Sequence, residues 1–103
     1  MAFTTIATTS ELAPGQVKQV RIHDRALALF NIQGQYYLID DVCPHRGAPL
    51  SEGFIEGGEV TCPWHGAQFD LRTGEVLSPP AQRGVTSYPV QVVGNDVQAD
   101  VGG

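Results

Sequence analysis

Short apolar runs broken by glycine, proline and polar turns recur along the chain, and no segment carries a long amphipathic helical stripe. "QVKQVRI" follows Pro14 and Gly15, the pattern of a strand leaving a turn. "LALFNI" and "YYLID" flank Gln33, Gly34 and Gln35 and predict a β-hairpin. "GGEVT" reads as a short strand, and "QFDLRTGEV" as two more around a turn at Thr73 and Gly74. After a proline-containing loop at 78–81, "TSYPVQVV" and "VQADV" pair through Gly94, Asn95 and Asp96. Val97, Ala99 and Val101 alternate with Gln98 and Asp100, as in a strand with one face buried. Only Ser10, Glu11 and Leu12 suggest a single helical turn. The elements predict an all-β fold, a small antiparallel sandwich or barrel.

Composition narrows this reading. A chain of 103 residues supports one domain with one modest core, and its twelve glycines and seven prolines agree with many short strands joined by turns. The longest apolar run, "ALALF", is far short of the roughly 20 residues that span a bilayer. No basic segment followed by an apolar stretch opens the chain, so the expected location is the cytoplasm, away from membranes. Eleven acidic against six basic residues give a net charge of −5, which argues against nucleic acid as a partner. The same charge suits docking to a basic protein patch, or simply solubility.

Candidate chemistry gathers in two strings, "CPHRGAPL" and "CPWHGAQFD", which hold both cysteines and two of the three histidines. Cys43 and His45 are spaced C-x-H, and Cys62 and His65 C-x-x-H. Residues i and i+2 of an extended segment share a side, and i and i+3 converge around a tight turn, so each pair can face one centre. Pro44 and Pro63 bias the preceding cysteines toward extended geometry, while Gly47 and Gly66 permit close backbone approach. In a reducing compartment such pairs favour metal ligation over a disulfide. A structural zinc site is one reading, although paired zinc ligands usually enclose two to four residues.

The longer strings "CPHRGAPLSEG" and "CPWHGAQFDLRTGEV", with 16 residues between His45 and Cys62, resemble soluble Rieske-type ferredoxins of bacterial multicomponent aromatic-ring dioxygenases. They are also similar to Rieske small subunits of nitrite reductases. The resemblance implies one [2Fe–2S] cluster per chain, with Cys43 and Cys62 on one iron and His45 and His65 on the other. It implies a single Rieske domain over 1–103, with a cluster-binding lobe at about 41–80 inserted into the β scaffold. It further implies a low-potential one-electron carrier without catalytic residues of its own. Electrons would come from a flavin-dependent NAD(P)H ferredoxin reductase and go to a terminal Rieske non-haem iron oxygenase. The alternatives are a small subunit of an assimilatory nitrite reductase and, from another class, a zinc-stabilised interaction module.

The resemblance also bears on potential. High-potential relatives of the respiratory type read C-x-H-x-G-C and C-x-C-H-G-S-x-Y, whereas this chain has Ala48, Trp64, Ala67 and Phe69 where they carry Cys, Cys, Ser and Tyr. Without the inter-loop disulfide and the two hydroxyl donors, the expected midpoint lies at the low end of the Rieske range, on the order of −150 mV. Pro79 and Pro80 match the loop that covers the cluster in this family. Trp64 reads equally as a docking surface or as packing beneath its loop; Arg46 and His23 read as surface residues. Asp40, Asp41, Glu52, Glu56 and Glu59 make the lobe acidic, for partner docking or for solubility.

Overall fold

The computed structural model describes residues 3–22, 24–41, 49–63, 66–78 and 84–101. The chain runs through β1 (Thr4–Thr8), β2 (Val17–Ile22), β3 (Arg25–Ile32), β4 (Gln35–Asp40), β5 (Phe54–Glu56) and β6 (Glu59–Thr61). It continues through β7 (Gln68–Asp70), β8 (Val76–Ser78), β9 (Ser87–Tyr88), β10 (Val90–Val93) and β11 (Asp96–Ala99). Short 3-10 turns cover Thr9–Glu11 and Leu50–Glu52. Among the described residues these strands form three antiparallel sheets, ordered β1-β11-β10, β2-β3-β4-β9 and β5-β6-β7-β8. The all-β expectation holds, and the last sheet is the lobe carried between β4 and β9.

β3 explains the layering. Leu27, Ala28, Leu29 and Phe30 are all fully buried, because this strand has a sheet on each side. Ala28 and Phe30 join Ile39, Leu50, Val60, Cys62, Ala67, Phe69 and Leu71 in a core shared with the lobe. Leu27 and Leu29 turn the other way, to Ala7, Leu12, Val20, Leu38, Val97, Ala99 and Val101. The period-2 geometry of one strand thus supplies two cores. The β3–β4 hairpin turns at Gln33 and Gly34, both at positive φ, as the sequence predicts.

Two differences from the sequence reading have local causes. "TSYPVQVV" is two strands rather than one: Pro89 interrupts it, β9 pairs with β4, and β10 pairs with β11. Proline has no N–H for a ladder, and here it marks where the chain passes from the central sheet to the three-stranded one. β1 and β5 carry little signal in the sequence: within β1 only Ala7 is buried, and β5 is three residues long with Phe54 exposed.

Candidate metal centre

Of the four predicted ligands the described residues include Cys62; Cys43, His45 and His65 lie outside them. So do His23, Arg46, Ala48, Trp64, Pro79 and Pro80. Cys62 directly follows β6, is 1% exposed, and takes part in no disulfide among the described residues. Its N–H donates to the Ala67 carbonyl at 2.7 Å, and its carbonyl accepts from Gly66 N–H at 3.1 Å. These two bonds close a tight turn between β6 and β7, and Gly66 takes φ +78° within it. Among the described residues no three His, Cys, Asp or Glu side chains come together as a metal-binding group.

Cys62, the one proposed donor among the described residues, fits the group that the sequence pattern implies. A buried thiol with no disulfide among the described residues, at the root of a hydrogen-bonded turn and three positions before the next ligand candidate in sequence, suits one arm of a Cys–His centre. The thiol sits in the core of Val60, Ala67 and Phe69, so the surroundings it contributes are apolar. Ala67 and Phe69 are fully buried, and neither offers a hydroxyl donor there.

Backbone packing anchors this turn to its neighbours. A Cβ on Gly53 would lie 2.2 Å from the carbonyl oxygen of Thr61, so the end of the 3-10 turn lies flat against the residue before Cys62. On the opposite edge Gly74, at φ +79°, lies against Gly84 and Val85, and Val85 N–H donates to the Gly74 carbonyl at 2.8 Å. That contact pins the strand pair β7–β8 beside the segment that follows residues 79–83.

The acidic residues separate into two kinds. Asp41 is only 2% exposed and is structural: Oδ2 accepts from Gln19 Nε2 at 2.6 Å and from Ser51 Oγ at 2.8 Å, while Oδ1 accepts from Ser51 N–H. Asp40 points to the other side and accepts from Tyr88 Oη at 2.7 Å and from Thr86 N–H at 3.3 Å. Burial and the Asp40 contact push the Tyr88 phenol up to about 12. Of the two open readings of the acidic residues, docking or solubility, neither describes Asp41, which is buried, and the Asp40 carboxylate is engaged within the fold. Adjacent residues at a strand end face opposite ways, so the two aspartates meet different partners, but which of them is buried is set by contacts distant in sequence.

Glu52 and Glu56 are exposed and Glu59 is half-buried. Glu56 lies opposite Glu59, and Glu59 opposite Asp70, on the outward face of the lobe sheet. The parallel row nearer Cys62 carries Phe54, Thr61 and Gln68, with Phe54 69% exposed.

With the three-sheet fold and the Cys62 turn in place, the comparisons identify the class. The family model of the Rieske [2Fe-2S] domain matches residues 2–89, and the chain belongs to that family. It is 37% identical over 91 residues to the ferredoxin component of a naphthalene 1,2-dioxygenase system from Pseudomonas aeruginosa, covering 88% of each chain. Among solved structures it resembles the ferredoxin of carbazole 1,9a-dioxygenase from Nocardioides aromaticivorans IC177, with TM-score 0.90, 27% identity, and 96% and 97% of the two chains covered. It also matches a chain in the complex of reduced oxygenase and oxidized ferredoxin of carbazole 1,9a-dioxygenase, with TM-score 0.87, 31% identity, and 94% and 91% covered. A nitrite reductase small subunit shares the fold at TM-score 0.86 and 24% identity, covering 98% and 100%.

Proposed function

We propose that this protein is a one-electron carrier, the ferredoxin component of an aromatic-ring-hydroxylating oxygenase system, with no catalytic site of its own. The observation that carries this reading is the end-to-end likeness to ferredoxins of dioxygenase systems, one of them in complex with its oxygenase. Cys43, His45, Cys62 and His65 would hold one [2Fe–2S] cluster, which stores a single electron when bound. With two ferric ions and two sulfides, the thiolates of Cys43 and Cys62 and the neutral imidazoles of His45 and His65 would sum to zero charge, against −2 for four thiolates, and so would favour a higher potential than an all-cysteine set.

The chain's own contribution is position and insulation. The turn from Cys62 to Ala67 and the packing of Phe69 and Leu50 keep one side of the site apolar. The outward face of the lobe offers Glu56, Glu59 and exposed Phe54 to a partner with a basic, partly apolar patch. The partners are a flavin-dependent NAD(P)H ferredoxin reductase and a terminal Rieske non-haem iron oxygenase, and neither nucleic acid nor a membrane takes part. No helix among the described residues is long and apolar enough to cross a membrane, and we place the protein in the cytoplasm. Residues 1–103 act as a single Rieske domain, its cluster lobe at about 41–80.

Reconstitution tests the reading. The protein reduced by an NAD(P)H-dependent flavin reductase should support turnover by a ring-hydroxylating oxygenase, and iron and acid-labile sulfide should be equal in amount. Electron delivery only to a nitrite reductase flavoprotein would select the small-subunit alternative. Zinc in place of iron would reject both redox readings in favour of an interaction module.

A further inference from the structure

We infer that Asp41 is a positioning residue that ties both ends of the first ligand loop to the scaffold and, through the 3-10 turn, to the second. The inference rests on the ligand assignment proposed above. Residue 41 is itself held by its N–H, which donates to the Ala26 carbonyl at 3.0 Å as β4 ends. Residues 42–48, which include Cys43 and His45, follow directly. On the far side of that segment Leu50 is fully buried in the lobe core and Ser51 returns to the Asp41 carboxylate with both its N–H and its hydroxyl. Gln19 of β2 completes the tie from the central sheet.

The chemistry explains the residue type. Three donors converge on two oxygens that lie out of solvent, which suits an acceptor-only carboxylate. An amide would keep the shape but turn an NH2 group toward at least one of those donors. Removing the side chain would leave the Gln19 amide and the Ser51 groups without their buried acceptor. The tie also reaches the second loop: Gly53 N–H donates to Leu50 at 3.0 Å, and Gly53 lies flat against Thr61, the residue before Cys62. Loosening Asp41 therefore frees the first ligand pair and slackens the seat of the second.

Asp40 supplies the control. It leaves the same strand end on the opposite side and holds Thr86 and Tyr88 instead of Ser51. The experiment compares Asp41→Asn, Asp41→Ala, Ser51→Ala and Asp40→Asn in the cluster-loaded protein. The readouts are the rate of iron release to a chelator, the midpoint potential, and the thermal unfolding of each apo-protein. Release should be roughly tenfold or more faster in both Asp41 variants, by the usual effect of removing a group that orients ligands. Ser51→Ala, which deletes one of the three donors, should fall between them and the parent. The midpoint should rise in Asp41→Asn, because a buried negative charge near the ligand loop opposes uptake of an electron. Asp40→Asn should leave release and midpoint near the parent values.

Release and midpoint unchanged in both Asp41 variants would overturn the inference while leaving the ligand assignment standing. So would release in Asp40→Asn as fast as in Asp41→Asn, or losses that simply track apo-protein stability across the set. A parent protein that binds no iron and sulfide would remove the ligand assignment, and this inference with it.

Discussion

The two faces of the central sheet are packed alike and built differently. Toward β1, β10 and β11, strands of four to eight residues meet in an apolar core that includes Leu27, Leu29, Leu38 and Val97. Toward the lobe, Phe30, Ile39 and Leu50 meet four strands of three residues each. Short strands make few ladder bonds, so the lobe relies on other devices: the Cys62 turn, the flat contacts at Gly53 and Gly74, the Asp41 tie and the bound cluster. The scaffold core therefore has no need of a ligand, whereas the lobe is expected to share its stability with its cofactor.

The largest test of that contrast removes a proposed ligand. Cys62→Ser should abolish stoichiometric iron binding, because a serine oxygen is a poor replacement for a soft thiolate. Hydrogen exchange should then show lost amide protection in β5, β6, β7 and β8, with β2, β3 and β11 still protected. Equal loss of protection on both sides would mean that the two cores do not fold separately.

Next in size is a pair of cavities. Leu29 and Leu71 are both buried, one in each core. Leu29→Ala should cost about 2–5 kcal/mol in the presence or absence of the cluster, since its core holds no ligand. Leu71→Ala should cost a comparable amount in the loaded protein and clearly less in the apo-protein, where the lobe is already loosened. Urea unfolding of the four species decides the matter, and equal penalties for Leu71→Ala in both forms would break the comparison.

How far this division can be read from sequence depends on what each side uses. The alternation of Val97, Ala99 and Val101 is a period-2 signal and the unbroken apolar run of β3 marks a strand covered on both faces, and together they make β3 and β11 legible. The lobe's proposed ligands are spacing signals, C-x-H and C-x-x-H. Its supports are not, because they depend on long-range contacts: Asp41 with Gln19 and Ser51, or Gly74 with Val85. β5 has the same difficulty, since three residues with an exposed phenylalanine carry no periodicity to detect. The two aspartates present a related difficulty. Acidic residues are usually solvated, and burial of Asp41 shows only once its three donors are in place.

A smaller effect should come from the apolar lining of the lobe. Phe69→Tyr puts a hydroxyl into a fully buried site. If that hydroxyl donates toward the cluster, it stabilises the more negative reduced form and the midpoint rises. A redox titration should therefore show an upward shift with the cluster retained. An unchanged midpoint together with lower stability would mean that the new hydroxyl is buried without a partner, and that position 69 does not tune the potential.

The smallest effect belongs to the scaffold edge and tests whether the two consecutive aspartates are independent. Tyr88 packs on the scaffold core, donates to Asp40, and lies under the Arg25 guanidinium at 5.6 Å from its ring centroid. Its folded-state value of about 12 exceeds the ordinary 10, first because burial disfavours the phenolate and then because Asp40 favours the phenol. The protonated phenol thus contributes stability that is fully present below pH 10 and disappears as pH rises from 10 to 12. Tyr88→Phe should remove that alkaline step from the stability profile and from the phenolate absorbance titration. Iron release should be unaffected by the substitution below pH 10, because Asp40 anchors the segment at Thr86 while Asp41 anchors Ser51. Faster iron release in Tyr88→Phe would show that the two aspartates act as one anchor, and that scaffold edge and ligand loop are coupled through the end of β4.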